Sequence, residues 1–310
     1  MTERLADIDG RIDGVRQLGA VVNAMRGIAA ARAQQARNQL DAVDSYAAIV
    51  AAAIGRALAL LPPARAGVPG PPGRQALVLF CAEQGFAGAF SERVLEAAAA
   101  DLPASELFLV GTRGDAAAAE RNVEARWTSA MPSHSPGIPK LADRITEALY
   151  ARIATGEIGR LDAVFSQWRP GHGFHVERRS LFPFDMAAFP SPAGVNPPLL
   201  TLSPAVLLDE LTADYMHAQL CNAALHAFAA ENEARMEAMA AARSQIERQL
   251  SSLQATQRLV RQEEITAEII ELAAGETASR PRRRACCTAV QRSVAAIISS
   301  KRSTPSRAAR

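Results

Sequence analysis

The sequence predicts an α/β protein: a long antiparallel coiled coil of N- and C-terminal helices, with a small Rossmann-like α/β domain inserted between them. Three observations predict it. Apolar residues near both ends of the chain recur at alternating steps of three and four. The middle alternates short apolar runs with amphipathic ones. A Pro- and Gly-rich stretch, residues 62–73, parts the first helix from that middle.

The first helix is read over residues 1–61. Leu5, Ile8, Ile12, Val15, Gly19 and Val22 form a heptad seam, with Leu18 beside the small Gly19. Met25, Ile28 and Ala29 carry it on. Leu40, Val43, Ile49, Ile54, Leu58 and Leu61 extend a looser stripe until Pro62 and Pro63 stop the helix. Gly10, Gly14, Gly19, Gly27 and Gly55 each weaken it by about 1 kcal/mol relative to alanine, so it needs a partner.

The partner is read over residues 203–275. Met236, Met239, Arg243, Ile246, Leu250, Leu253, Gln257 and Val260 repeat the same steps. Ile265, Ile269 and Leu272 follow after a small change of phase. Ser203 is a good N-cap, Pro204 suits the first helical position, and the pattern fades near Gly275. Arg243 and Gln257 are polar seam positions, which cost stability and fix register.

Between them, residues 74–190 read as the α/β domain. Strands are expected at 75–81, 106–111 and 161–168, helices at 91–100 and 138–155, and a further strand at 175–184. This alternation calls for a largely parallel sheet.

Composition agrees. The 310 residues are 49% hydrophobic but only 5% aromatic, and much of the apolar content is alanine. Such a chain buries surface along helices and has few large side chains for a thick core. The net charge of +2 hides an asymmetry: residues 279–310 carry nine basic residues and no acidic ones, which leaves 25 basic against 32 acidic in the rest. The excess belongs to a tail, residues 278–310, which reads as a disordered appendage, with a segment that docks on an acidic partner and the product of a shifted reading frame as the alternatives, and no nucleic-acid-binding domain is implied. The four cysteines form no CxxC, which fits a reducing compartment and argues against a disulfide scaffold or zinc site. The opening MTERLADIDG lacks the apolar centre of a signal peptide. The most membrane-like stretch, residues 46–61, is short and is interrupted by Arg56.

Motifs for chemistry are few. In CAEQGFAGAF, residues 81–90, Gly85 and Gly88 could let backbone amides approach a phosphate; the alternative is a tight strand-to-helix turn packed on a neighbour. No GxxxxGK[ST] occurs. HGFH, residues 172–175, is half a metal site without a second cluster, and reads as a loop or strand start. His217 and His226 are not spaced to pair on one helix face, and Cys286 and Cys287 sit in a poorly patterned tail. No GxSxG assembles a Ser–His–Asp site. No catalytic residue, metal or cofactor is expected.

The sharpest local feature is ARMEAMAAARSQ followed by RLVRQEEITAEIIELAAGETA. It resembles the C-terminal helix of F-type ATP synthase gamma subunits, whose pattern is RMxAM, a gap, then ARQxxITxEIxEI. Arg235, Met236, Ala238 and Met239 match the first block; Arg261, Gln262, Ile265, Thr266, Glu268 and Ile269 match the second. The interval fits without insertion, and in a helix an insertion would rotate every later residue by about 100°. More loosely, Ile8, Arg11, Ile12, Val15, Ala24, Met25 and Ala29 match the family's N-terminal block, with Arg26 and Arg32 where lysines are usual. The family's SDRGLCGGFN turn appears with Gly85, Gly88 and Phe90 kept. There are departures: Glu83-Gln84 replaces Asp-Arg, Ala89 replaces a glycine, and Arg258 stands for the expected Asn.

The resemblance implies a central rotor shaft with no catalytic site of its own, in a peripheral membrane complex at the cytoplasmic face of a bacterial inner membrane. The implied partners are the alpha and beta subunits of the catalytic ring, the epsilon subunit and the membrane c-ring. Arg261, Gln262, Thr266 and Glu268 are the implied polar contacts to the ring, with Met25 and Arg26 as the matching N-terminal region. Two other classes remain open at this stage: a non-rotary coiled-coil scaffold or adaptor, and a nucleotide-dependent enzyme built on the α/β domain.

Overall fold

A computed structural model describes residues 2–61, 73–169, 171–190 and 199–279. The stop at Pro62 and Pro63, Cys286 and Cys287, and nearly all of the tail lie outside the described residues. The elements run α1 (Thr2–Leu58), β1 (Arg74–Phe80), α2 (Phe90–Ala98), β2 (Ser105–Val110), α3 (Thr112–Glu120), β3 (Trp127–Ser129), α4 (Ile138–Ala154), β4 (Ile158–Arg169), β5 (Gly173–Phe182) and α5 (Pro204–Ser279). The long helices at both ends and the strands around Leu77, Leu107 and Val164 fall where the sequence puts them. The short α3 and β3 escaped sequence reading: α3 is mostly alanine without an apolar period, and β3 has three residues.

The sheet has the order β3-β2-β1-β4-β5. All pairs are parallel except β4 with β5. Alternate residues of β1 serve opposite faces, as a strand's period of two requires. Ala76, Val78 and Phe80 join Phe108, Phe165, the α4 residues Ile138, Leu141 and Ile145, and the α5 residues Leu220, Ala224 and Phe228. Leu77 and Leu79 join Leu109, Val164 and the α2 residues Phe90, Val94 and Leu95. Both faces of β1 are covered, which explains its unbroken apolar run. The alanines have a structural use here: Ala36, Ala223, Ala224 and Ala227 are all at most 1% exposed, and their small side chains let helix and sheet approach closely.

The chain divides into two compact units, residues 1–16 with 248–310, and residues 17–247. In the first, Ile8, Ile12 and Val260 are buried, with Leu5, Leu250 and Leu253 packed against them. Gln257 donates to Asp9, and Arg4 pairs with Glu263 at 3.8 Å. Partner numbers fall along α5 as they rise along α1, so the pairing is antiparallel. In the second unit, Arg243 donates to Asn23 at 3.1 Å, Arg37 pairs with Glu233, and Asn222 donates to Asp44, again antiparallel.

The seam departs from expectation at particular residues. Ile28 is 54% exposed while Ala29 is buried, and Ile49 is 68% exposed while Val50 is buried. In each pair the neighbour one step on, about 100° around the helix, takes the inward position. Ile265, Ile269 and Leu272 are 50%, 60% and 75% exposed rather than in the seam. Arg4 already pairs with Glu263, so α1 is nearly used up where these residues begin.

Candidate functional site

The second unit holds a buried polar cluster where the long helices meet the turn after β1. That turn is shaped by its own sequence. The Cys81 amide continues the ladder to Val110 O at 2.8 Å, and the Ala82 amide donates to Ser91 Oγ at 3.1 Å. Phe86 and Gly88 both have φ near +60°, which lets the chain reverse before α2. The Glu83 carboxylate accepts from the amides of Thr112 at 3.1 Å and Met131 at 2.9 Å. It thus satisfies the first amide of α3, which Gly111 as N-cap cannot do with a side chain.

Helix α5 grips this turn with Glu231 and Arg235, one helical turn apart, and Asn232 braces Arg235. Glu231 Oε2 and Oε1 accept from the amides of Glu83 and Gln84 at 3.2 and 3.1 Å. Arg235 donates to the carbonyls of Gly85 and Gln84, each at 3.2 Å, to Asn232 Oδ1 at 3.0 Å, and to Glu231. Asn232 in turn donates to Phe228 O at 2.8 Å. From α1, Arg32 donates to the side chain of Gln84 at 3.2 Å, and Arg37 pairs with Glu233 while lying 5.6 Å over the Trp168 ring. Burial pushes the Glu231 carboxyl up from its ordinary value; Arg235 and the two amides pull the other way. Chemically the cluster is a fastening. Every member is paired, and removing one leaves buried partners unsatisfied, which is far costlier than the pair is stabilising.

A second polar group fastens β5. Arg179 donates to Gln219 at 3.1 Å and Asn222 at 2.8 Å on α5, pairs with Glu177, and lies 4.9 Å over the Phe165 ring. Asn222 reaches Asp44 of α1. His226 stacks on the same Phe165, with ring centroids 5.9 Å apart. Burial and the nearby Arg179 hold its imidazole below the ordinary value.

The residues picked from sequence are placed differently. Arg261, Gln262, Thr266 and Glu268 lie on α5 within the first unit, and all are exposed. Thr266 Oγ1 donates back to Gln262 O at 2.8 Å, one turn earlier. Met25, half-buried, and Arg26, exposed, belong to the second unit. Sequence reading matched Arg235 to the family pattern but missed Glu231, Asn232 and Arg235 as a cluster. A signal was present: ENEAR places Glu and Arg four apart inside a run otherwise dominated by alanine.

Among the described residues, nucleophilic chemistry has one look-alike. Cys221 Sγ lies 3.9 and 3.8 Å from the ring nitrogens of His217, and His217 Nε2 is 3.0 Å from Asp143. Burial, and after it the charge of Asp143, pushes the Cys221 thiol up to about 12, so it stays protonated at neutral pH and is a poor nucleophile. Burial likewise holds Cys81 at about 12. Among the described residues no group of three His, Cys, Asp or Glu is arranged to hold a metal ion. Nor is any described helix long and apolar enough to cross a membrane.

Comparison with known proteins places this geometry. A family model described as ATP synthase matches residues 4–278. The ATP synthase gamma chain of Streptomyces griseus is 30% identical over 223 residues, 67% of this chain and 73% of that one. The gamma chain of Prosthecochloris aestuarii is 26% identical over 292 residues, 88% of this chain and 98% of that one. Among solved structures, a chain of the Euglena gracilis mitochondrial ATP synthase in rotational state 3 superposes with a TM-score of 0.62. It covers 92% of this chain and 99% of that one at 14% identity, a likeness of fold alone.

Proposed function

This chain belongs to the ATP synthase gamma chain family, and from that premise we propose which of its residues meet the rest of the enzyme. The chain is the central rotor shaft of an F-type ATP synthase, coupling transmembrane ion flow to ATP synthesis or hydrolysis. It is a non-catalytic subunit; ATP chemistry belongs to the beta subunits. Membership in the family displaces the scaffold and nucleotide-enzyme readings.

The working divisions are residues 1–61 and 203–275 as the paired helices, 74–190 as the α/β domain, and 278–310 as a basic appendage. The paired helices enter the cavity of the ring of alpha and beta subunits, and the α/β domain meets the epsilon subunit and the c-ring. The complex sits on the cytoplasmic face of a bacterial inner membrane, a placement that the bacterial relatives favour.

Arg261, Gln262, Thr266 and Glu268 make polar contacts to the ring, with Met25 and Arg26 as a second contact region. The observation that carries this reading is exposure without cover. From residue 261 to residue 275 of α5, only Glu264 and Ala267 are even half-buried, and Ile265, Ile269 and Leu272 stand exposed among the polar residues. A guanidinium and an amide on a rigid helix make directional hydrogen bonds that can form and break as the shaft turns.

The test is Arg261→Ala with Gln262→Ala in the assembled complex, measuring assembly, ATPase rate and ATP-driven ion pumping. Alanine keeps helix propensity high, so the circular dichroism of the chain stays unchanged. Turnover or pumping falls at least several-fold, because hydrogen-bonding heads lost from an interface cost about 1–3 kcal/mol when buried partners are left unpaired. A complex that assembles, turns over and pumps normally removes both residues from the contact set.

A further inference from the structure

The sheet contains the place where proteins of this architecture hold ligands, and here that place is filled from within. From β1 to β2 to β3 the strand order moves one way, while β4 lies on the other side of β1. Ligands of open α/β sheets bind beyond the carboxyl ends of the strands at such a reversal, with anionic groups on the backbone amides of the turn. In this chain the two amides just beyond β1, those of Glu83 and Gln84, donate to one carboxylate, that of Glu231, at 3.2 and 3.1 Å. On the β4 side, Trp168 lies under the guanidinium of Arg37.

The donor set has the form of an anion site. Two backbone amides and one guanidinium converge on the carboxylate. Glu231 is 3% exposed and Arg235 4%, so neither is screened by water. Arg235 is itself held by the carbonyls of Gln84 and Gly85 and by Asn232 Oδ1. That leaves it fixed in place whether or not an anion is present. The site differs from a nucleotide crevice in one respect: its anion is covalently part of α5.

We propose that the turn after β1 is an anion-binding site whose resident ligand is the chain's own Glu231 carboxylate, and that, emptied of it, the site takes a free monocarboxylate of the size of acetate. The occupant explains why the amides of Glu83 and Gln84, at the switch point of an α/β sheet, are already engaged. It also makes the anion bond a bond between the α/β domain and the long helix, so the ligand serves as a fastening. The inference does not depend on which residues contact the ring.

Glu231→Ala tests it, because the group removed is a CH2COO− unit, the heavy-atom skeleton of acetate. Thermal unfolding of the full-length chain is followed in increasing sodium acetate and in sodium chloride of equal ionic strength. The variant melts roughly 5–10 °C below wild type, since a buried arginine and two amides lose their acceptor. Acetate, and not chloride, restores most of that shift with saturation, leaves wild type unmoved, and does nothing for Glu231→Ala combined with Arg235→Met. Equal responses of wild type and variant to the two salts, or a folded variant indifferent to acetate, overturn the proposal. If Glu231→Ala does not fold, Glu231→Gln is compared with Glu231→Gln/Arg235→Met. With Arg235→Met as the fourth corner of the cycle, the two losses are non-additive and the double variant melts close to Arg235→Met alone; strictly additive losses overturn the proposal.

Discussion

Residues 220–235 and 261–275 belong to one helix, α5, yet they invert the usual relation between residue type and burial. In the first stretch every residue is buried except the half-buried His226, and the buried ones include Glu231, Glu233 and Arg235. In the second, Ile265, Ile269, Ile270 and Leu272 are 50–75% exposed. Helical periodicity is much the same in both. What differs is the surroundings. The first stretch lies against the sheet, its β1 turn and α1, whose hydrogen-bonding groups make charged residues tolerable. The second runs on where α1 ends, so among the described residues its isoleucines are left exposed. An apolar pattern reports a surface that wants a partner; it does not say whether the partner is in the same chain.

Three sets of substitutions sharpen or break this contrast. The largest effect is expected from Leu220→Ala, in the enclosed stretch and 0% exposed. It costs about 2–5 kcal/mol in the denaturant unfolding of the chain, whereas Leu272→Ala, 75% exposed, stays within about 0.5 kcal/mol. Equal costs at the two sites would erase the distinction.

Next come the glycines of α1, which look alike in sequence. A Cβ on Gly10 or Gly14 meets nothing within 4 Å, while one on Gly55 would lie 1.9 Å from the carbonyl oxygen of Pro190. Gly10→Ala and Gly14→Ala therefore stabilise the chain by up to about 1 kcal/mol each. Gly55→Ala destabilises it by about 1–3 kcal/mol. A stabilised Gly55→Ala chain would show that the segment at Pro190 does not rest on α1.

The smallest effect concerns pH. His226 is the one half-buried residue of the enclosed stretch. Burial, then Arg179 and more weakly His175, lower its pKa, while Asp44 and Glu177 act in the opposite direction. Because the folded value lies below the ordinary 6.5, the unfolded chain takes up the proton first as pH falls. The contribution is fully present above pH 6.5 and is lost as pH falls from there toward the folded value. His226→Phe keeps a ring against Phe165 and removes the titration. Its unfolding free energy falls less steeply than that of wild type as pH drops below 6.5. Parallel curves would mean that His226 is neutral or charged alike in both states.

Much of the fold was legible because its signals are local. The heptad steps through Ile8, Ile12, Ile246, Leu250 and Val260 declare a helical period, and the apolar run of β1 is short and follows a Pro- and Gly-rich stretch, as a buried strand does. The family followed from blocks such as Arg235-Met236 and Arg261-Gln262, whose interval a rigid helix preserves. The fastening on the β1 turn was not legible. Glu231 and Gln84 are 147 residues apart, and nothing in either neighbourhood says that one completes the other. The same holds for Arg179 and Asn222, and for Gly55 and Pro190.

By itself, then, the sequence determined the long helices, the main strands and the family, because periodicity and block spacing are properties of neighbouring residues. Only the tertiary structure decided which charges are buried, which glycine is indispensable and which isoleucines are left bare. Those outcomes depend on desolvation and on partners brought together across the fold, and a carboxylate in water and one held by two amides and an arginine are written with the same letter.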